Sequence, residues 1–575
     1  MRSRVRPSLF FIPSALCGVL AFCVLYAAAR LGTGHPDVVY TLTPNPSTGE
    51  IRVHMEMLAL APGHVVLVVP DPYPSSDAAG IGGVAGSAGE PLGANLWGGQ
   101  ADANGHLAFD YRIHPGASGA THAMLLFGAR TFAVPVHSDT RASLFERRRD
   151  GAPRGGLVPG SARRIAVRFR LPAGWGAYTP WGDAESSVEI PDGRFARLRE
   201  SIIALGDYVP RHFEAAGTDV EMVTRGADPA REDSLEYLIR ECLSAHAQAV
   251  GPVPDDRLLV VIDHPFRGDQ AAGETALNAT SLRLSGDPGA LRSRSLARVV
   301  AHELFHFWNG GAVDLNTPSL RWFAEGVTEY FGLRALQVTG RMSADGLAGE
   351  LAGSFDRLRG NPWADSSLTS LGTGYARDSQ AWSATYAKGL LAAWALDLRL
   401  SQAGGLEAMM RDLVRRGRQP DLRAAGARLG AGDLAGFLDS LSGRRFNTTL
   451  AGELAARGLH LGHRVSGSWT LGLRFFRPGT TEVLDLDPDG PAARHGLRVG
   501  DRIVAVNGHA VDDLAGLADA LADARTPDIT LQLARAGAPV RVTLSPEKQT
   551  VTVLRTTQSP AGMASQHPAP GELQP

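Results

Sequence analysis

Two histidines stand four residues apart in "VVAHELFHFWNGG", Val299 to Gly311, and a glutamate follows the first directly. On a helix, residues i and i+4 share one face, about one turn apart. His302 and His306 can therefore aim imidazole nitrogens at one Zn2+ ion. Glu303 lies beside them, placed to take a proton from a water at such an ion. Leu296, Val300, Leu304 and Phe307 fall on the opposite face and suit a core, and Asn309-Gly310-Gly311 is expected to end the helix. Two histidines on a helix also arise by chance, so a further ligand is needed to decide. "NTPSLRWFAEGVTEYFGLRALQVTG" offers one. Thr317 suits an N-cap and Pro318 the first helical position, which starts a second helix. Glu325 lies on it, separated from His306 by the eighteen residues 307–324. Two histidines and a carboxylate leave a fourth tetrahedral position open, as catalytic rather than structural zinc sites do. Glu329, one turn on, is placed to orient a ligand histidine, the competing role being a solvated helix charge.

These helices need a scaffold. From Val38 to about Val136 the pattern is β-like, with "EIRVHMEMLAL" and "HVVLVVP" at strand length. "GIGGVAGSAGEPLGANLWGGQADANG" has no phosphate-loop or dinucleotide spacing and reads as a surface loop. From about Gly226 the period becomes helical: "REDSLEYLIRECLSAHAQAVG" is amphipathic, "RLLVVIDHP" is a buried strand, and helices then dominate to about Leu461. Short strands return from Trp469 to about Leu544, and the proline-rich polar tail is expected to be disordered.

The chain of 575 residues is too long for one core, and its 44% hydrophobic and 20% charged residues are those of globular protein. A formal net charge of −2 gives no field that calls for nucleic acid. At the N-terminus, Arg2, Arg4 and Arg6 precede an uncharged apolar run, Leu9 to Ala29. The order predicts a non-cytoplasmic catalytic region, periplasmic or extracellular. The run is either an uncleaved membrane anchor, for which it is long enough, or a signal peptide cleaved near Ala27-Ala28-Ala29, leaving a secreted protein. Of three cysteines, Cys17 and Cys23 lie in that run, so Cys242 has no intrachain disulfide partner in the exported part and reads as a small buried hydrophobe.

"HELFHFWNG" followed by "WFAEGVTEYF" resembles the gluzincin metallopeptidases, and within them the glycyl aminopeptidase-like family that carries a C-terminal PDZ domain. "LFGARTFAVPV", "RFRLPAGW", "NPWADSSLTSLG" and "TYAKGLLAAWALDLRL" extend the likeness over nearly the whole exported chain. The eighteen-residue spacing departs from the longer insert of many PDZ-bearing members. The resemblance implies a multidomain chain: an anchor or signal at 1–34, a β-rich domain at 35–226, a thermolysin-like zinc peptidase domain at 227–461, a PDZ domain at 462–550 and a tail at 551–575. It implies one Zn2+ per chain and a peptide or protein substrate. It also matches Tyr386, in "TYAKG", to the tyrosine that stabilises the tetrahedral intermediate; a phenol O–H near the metal can donate to an oxyanion. In "AAGETALNATSLRL" it puts Thr275 and Ala276 where a glutamate that holds the substrate's α-ammonium group and a histidine are usual, with Glu274 one residue early. A one-residue shift on a strand turns a side chain to the other face. Glu274 is therefore expected to point away from the site unless a bulge re-aims it.

"GPAARHGLRVGDRIVAVNGHAV", Gly490 to Val511, resembles a PDZ domain, with Asn507-Gly508 as a tight turn. Thr470, Leu471, Gly472 and Leu473 resemble the loop that holds a peptide's C-terminal carboxylate, and such domains bind a peptide as an added strand. Two other functions keep the same residues: a PDZ-based binding protein with an inert peptidase scaffold, against which the intact Glu303 argues, and a non-peptidase zinc hydrolase, such as the leukotriene-type epoxide hydrolases.

Overall fold

The computed structural model describes residues 36–556, apart from 138–163 and shorter internal stretches of which 69–81, 126–133 and 191–197 are the longest. The apolar run Leu9 to Ala29 and the residues beyond 556 lie outside the described residues, while residues 551–556 of the expected tail belong to the strand Glu547–Thr556. Among the described residues, no helix is long and apolar enough to cross a membrane.

The described residues of the N-terminal part form three sheets of six, four and five strands. Its core comes from strict alternation: Ile51, Val53, Met55 and Met57 face inward, while the residues between them stay partly or fully exposed. The glycine-rich segment is not a surface loop. It forms three short strands, Gly82–Gly86, Ala88–Gly93 and Leu96–Ala101. The reason is tertiary: the neighbouring strands Gly63–Val68 and Leu107–Ile113 supply ladder partners that a glycine-rich sequence does not advertise.

The metal-bearing part rests on a five-stranded sheet ordered Val209–Ala215, Thr218–Thr224, Arg257–Phe266, Ala279–Ser285, Ala271–Ala276. Arg257–Phe266 pairs in parallel with both neighbours, and helix Pro229–Val250 forms the crossover before it. Both faces are covered, so its run is continuously apolar. Leu258, Val260 and Ile262 join the helical core. Leu259 and Val261 meet Ile202, Ala204 and Tyr208 from the N-terminal part. Cys242 is buried, and burial pushes its thiol up to about 12, which keeps it inert.

Three helices assemble the centre: the histidine helix Arg294–Phe305, the glutamate helix Arg321–Val338 and the tyrosine helix Ser379–Leu400. The glutamate helix is buried almost all round, from Trp322 to Leu333, as a helix packed on every side must be. Small residues set its distances. A Cβ on Gly326 would lie 2.1 Å from the carbonyl carbon of Gly389 on the tyrosine helix. A Cβ on Gly332 would lie 3.1 Å from the backbone nitrogen of His302. Phe305 and Phe331 stack at 4.4 Å across the second contact.

The C-terminal module has its own core, including Val483, Ile503, Val506, Leu531 and Leu533. Asn507 (φ 49°) and Gly508 (φ 87°) make the left-handed hairpin turn expected of an Asn-Gly pair. Buried Asp501 takes two 2.7 Å hydrogen bonds from Arg535. A long ladder, Leu459–Thr470 with Glu547–Thr556, joins this module to the helices, where Thr552 donates its backbone N–H (2.8 Å) and hydroxyl (2.6 Å) to Asp356.

Gly326→Ala should destabilise the protein by at least ~2 kcal/mol, since backbone cannot move aside cheaply. Gly349→Ala, on an exposed position of helix Ala344–Leu358 with open space around it, should stabilise by ~0.5–1 kcal/mol. Denaturant unfolding of both variants measures the contrast.

Candidate metal centre

His302 ends up buried in the last turn of its helix, and His306 follows directly as the C-cap residue. Their Nε2 atoms lie 3.2 Å apart. Glu325 Oε2 is 3.6 Å from the first and 3.8 Å from the second. One donor atom from each of the three residues falls within 4.8 Å of the others. Two imidazole nitrogens bound tetrahedrally at about 2.0–2.1 Å would stand about 3.3 Å apart, so the spacing suits a single zinc ion.

The opposite ring nitrogens are engaged. His302 Nδ1 lies 2.9 Å from Glu329 Oε2, and His306 Nδ1 lies 3.1 Å from the Asn309 carbonyl oxygen. Both partners accept, so each ring directs an Nδ1–H at its partner and leaves Nε2 facing inward. Glu329 is thus tied to a ligand histidine rather than solvated. Arg298 donates to its other oxygen and, at 2.9 Å, to Glu350. Asn309 also donates from its side chain to the carbonyls of Phe323 (3.1 Å) and Ala324 (3.2 Å) and to the Thr328 hydroxyl (3.0 Å). That stitching explains a departure from the expected helix end. The α-helix stops at Phe305, and a wide turn, Phe307–Ala312, carries Asn309 back toward the glutamate helix. Gly310, at φ 145°, permits the reversal. Pro318 likewise opens a 3-10 turn, Pro318–Leu320, before the second helix proper, and the Thr317 side chain makes no cap bond.

The buried carboxylates demand positive charge. Burial favours their neutral forms, but the hydrogen bond from His302 and the charges of His306 and Arg321 hold Glu325 well below the usual carboxylate range. Burial is likewise outweighed at Glu329, chiefly by the charge of Arg298. Burial opposes a proton on His302, yet hydrogen bonds to Glu325 and Glu329 raise its pKa to about 10. Burial and the neighbouring His302 lower that of His306. A cation held there would supply the positive charge that the two carboxylates favour.

Glu303 is buried and faces the edge strand. Thr275 Oγ1 lies 2.8 Å from Glu303 Oε2, 2.9 Å from the Glu303 carbonyl oxygen and 2.8 Å from Thr280 Oγ1. A Cβ on Gly273 would lie 2.3 Å from Glu303 Cγ, so only glycine leaves room for the carboxylate there. Gly273 and Thr275 therefore turn toward the histidine helix, and Glu274 sits on the other face of the strand. Its pairing with Ser281 is in regular register, with no bulge between Ala271 and Ala276 to re-aim it.

The Tyr386 ring lies 5.7 Å from the His302 ring, and its hydroxyl is 3.4 Å from that of Tyr375. Tyr375 donates to Glu325 Oε1 at 3.2 Å, and Arg321 reaches the same oxygen at 3.3 Å. Burial, then the charge of Glu325, pushes the Tyr386 phenol well above its ordinary pKa, so it stays a hydrogen-bond donor. Sequence reasoning missed Tyr375, Arg298 and Arg321. Each arginine stands four residues before a site residue on the same helix, a spacing that could have found them. Tyr375 carries no local signal.

In the C-terminal module, Thr470 Oγ1 accepts from Gly472 N at 2.9 Å, and Gly472 adopts φ 82°. The carbonyls of Leu471 and Gly472 accept from Ala492 N (2.9 Å) and Asp487 N (2.7 Å), which closes the loop on its own side.

Two imidazoles and one carboxylate converge as a donor set that could hold a metal ion, with a further carboxylate alongside. Residues 295–391, which span all of these groups except the edge strand, match the model of the M61 glycyl aminopeptidase family. Residues 482–535 match that of PDZ domains. The fold is similar to that of an aminopeptidase N family protein from Idiomarina loihiensis, with a TM-score of 0.67 and 16% identity over 92% of this chain and 99% of that one. An M1 zinc metallopeptidase from Deinococcus radiodurans is similar more loosely, with a TM-score of 0.46 and 17% identity over 71% of this chain and 93% of that one. The chain thus resembles glycyl aminopeptidase-type metallopeptidases and carries a C-terminal PDZ domain.

Glu329→Gln should weaken zinc binding about 10–100-fold, as losing the partner of a ligand histidine typically does. His306→Ala should abolish stoichiometric binding. Competition with a chromogenic chelator and elemental analysis measure these two outcomes.

Proposed function

We propose that the protein is a zinc metallopeptidase that hydrolyses peptide bonds, with about one zinc per chain. The observation that carries this reading is the convergence of His302, His306 and Glu325 donor atoms within 4.8 Å, one residue along from the buried carboxylate of Glu303. Bound zinc would polarise the scissile carbonyl and make water a stronger acid. Glu303 takes the proton of the attacking water and later delivers it to the leaving amine. Thr275 restrains one oxygen of Glu303, which keeps the carboxylate aimed while it exchanges that proton. Tyr386, kept protonated, donates a hydrogen bond to the oxyanion. Substrate backbone is held by strand addition at Ala271–Ala276, the terminal strand of its sheet.

The edge strand also bears on which end of a substrate is accepted. An α-ammonium group entering a closed site needs a carboxylate partner. The strand presents neutral Thr275 to the site, while Glu274 lies on the other face. Selectivity for free amino termini is therefore weak, and endopeptidase action is favoured. The basic cluster Arg2, Arg4 and Arg6 before the apolar run further suggests export of the catalytic region, either membrane-anchored or secreted.

Glu303→Gln should retain zinc and lose at least about 100-fold in kcat on a peptide library, because it removes a base and not a ligand. Equal turnover by the variant would overturn the assignment. Free and N-acetylated forms of the same short peptides should be cut at similar rates. A strong preference for free amino termini, abolished by Glu274→Gln, would instead establish an aminopeptidase.

A further inference from the structure

Ser379, Trp382, Ser383 and Tyr386 form one stripe on the tyrosine helix, at spacings of three and four residues. The first three touch the PDZ domain, and the fourth enters the metal centre. Ser379 donates to the Leu484 carbonyl at 3.0 Å. Ser383 donates to the buried Asp485 carboxylate at 3.0 Å. Trp382 stands with its ring 4.9 Å from that of Phe475 and 4.8 Å from that of Tyr386. The aromatic path from the PDZ domain to His302 thus takes three ring-to-ring steps, each under 6 Å.

Phe475 reaches Trp382 because its strand is irregular. Leu473–Phe476 pairs with Val483–Leu486 through two register shifts, on either side of Phe475. Leu473 and Phe476 pack on the PDZ core, an arrangement that regular alternation over three residues would forbid. The irregularity releases Phe475 toward the helix, the kind of re-aiming that bulges perform. Neighbouring contacts hold the strand against the peptidase part. Arg474 donates to the Arg359 carbonyl at 3.0 Å while pairing with Asp487 at 3.1 Å, and Pro488 fills the space beside Gly360.

We propose that Phe475, acting through Trp382, is a positioning residue for Tyr386, so that the PDZ domain forms part of the active-site wall. This rests on the peptidase reading above and extends it: an element outside the matched peptidase segment sets the rotamer of the oxyanion donor. Among the described residues, the Tyr386 hydroxyl has one polar contact, that with Tyr375 at 3.4 Å, which is long for an O–H···O bond. Ring packing by Trp382 therefore has to supply the aim.

The test uses the full-length, zinc-loaded protein with two readouts. One is kcat and KM on a short quenched peptide. The other is calorimetric affinity for a phosphinic tripeptide, whose tetrahedral oxyanion accepts from Tyr386. Phe475→Ala should lower kcat about tenfold with little change in KM, and weaken the phosphinate about tenfold, because small misplacements of a donor are costly. Zinc content should be unchanged, and Phe475→Leu, which keeps apolar bulk, should recover most of the loss. In a Tyr386→Phe background, Phe475→Ala should add nothing further, since both changes remove one interaction. Thr552→Val, which loosens the same domain contact away from the tyrosine, should leave both readouts unchanged. Wild-type kcat and phosphinate affinity in Phe475→Ala, or effects that multiply with Tyr386→Phe, would overturn the positioning role. A wild-type protein that neither cleaves peptides nor binds the phosphinate would refute the peptidase reading itself.

Discussion

The centre depends on how closely two helices can approach. Gly326 and Gly389 meet backbone to backbone, with no space for even one methyl group between them. Glu325 lies next to the first glycine, and Tyr386 lies three residues before the second. A wider crossing would move the carboxylate and the phenol apart, and the Tyr375 hydroxyl could no longer sit between Glu325 and Tyr386. Gly332 repeats the device against the backbone of His302. One helix with two bare patches thus brings the two histidines, Glu325 and Tyr386 into one volume. Close-packed interiors transmit such distances rigidly.

Charge balance accounts for most of what surrounds that volume. Two buried glutamates beside two imidazoles would be costly unless each oxygen had a partner. Arg298 and Arg321 supply partners from one turn earlier on the two helices, and Tyr375 supplies another from a separate segment. These groups use up the outward-facing oxygens. The Nε2 atoms and Glu325 Oε2 are left facing each other, where a cation resolves their mutual desolvation. The same logic separates Glu303 from Glu325. One is restrained by a neutral threonine hydroxyl, the other by an arginine and a tyrosine, so two carboxylates with different surroundings stand side by side on adjacent helices.

The C-terminal module is bound to this assembly at three places: the ladder that reaches Asp356, Arg474 on the carbonyl of Arg359, and the stripe on the tyrosine helix. A domain that only tethered a substrate on a flexible linker would not need buried Asp485 in its contact surface. Its strand Leu473–Phe476 also follows directly on the Thr470 to Leu473 loop. The segment read as a peptide-binding loop and the segment that touches Trp382 are therefore one continuous piece of backbone.

The sequence by itself determined the short-range chemistry. Helical spacing puts His302 and His306 on one face, and strand alternation turns Glu274 away from the side that Thr275 occupies, because both periods are properties of the backbone alone. Glu325 was legible because it stands on a helix whose start Thr317 and Pro318 mark, although its α-helical part begins only after a 3-10 turn. Tertiary structure decided what no period encodes. Tyr375 joins Glu325 across fifty residues of chain, Phe475 joins Trp382 across two domains, and Asn309 turns the end of one helix into a strap for the next. The glycine-rich segment became strands for the same reason, since two of its three strands pair with Gly63–Val68 and Leu107–Ile113, which lie outside it. Local spacing fixes which way a side chain points from its own element; only packing between elements decides what it meets.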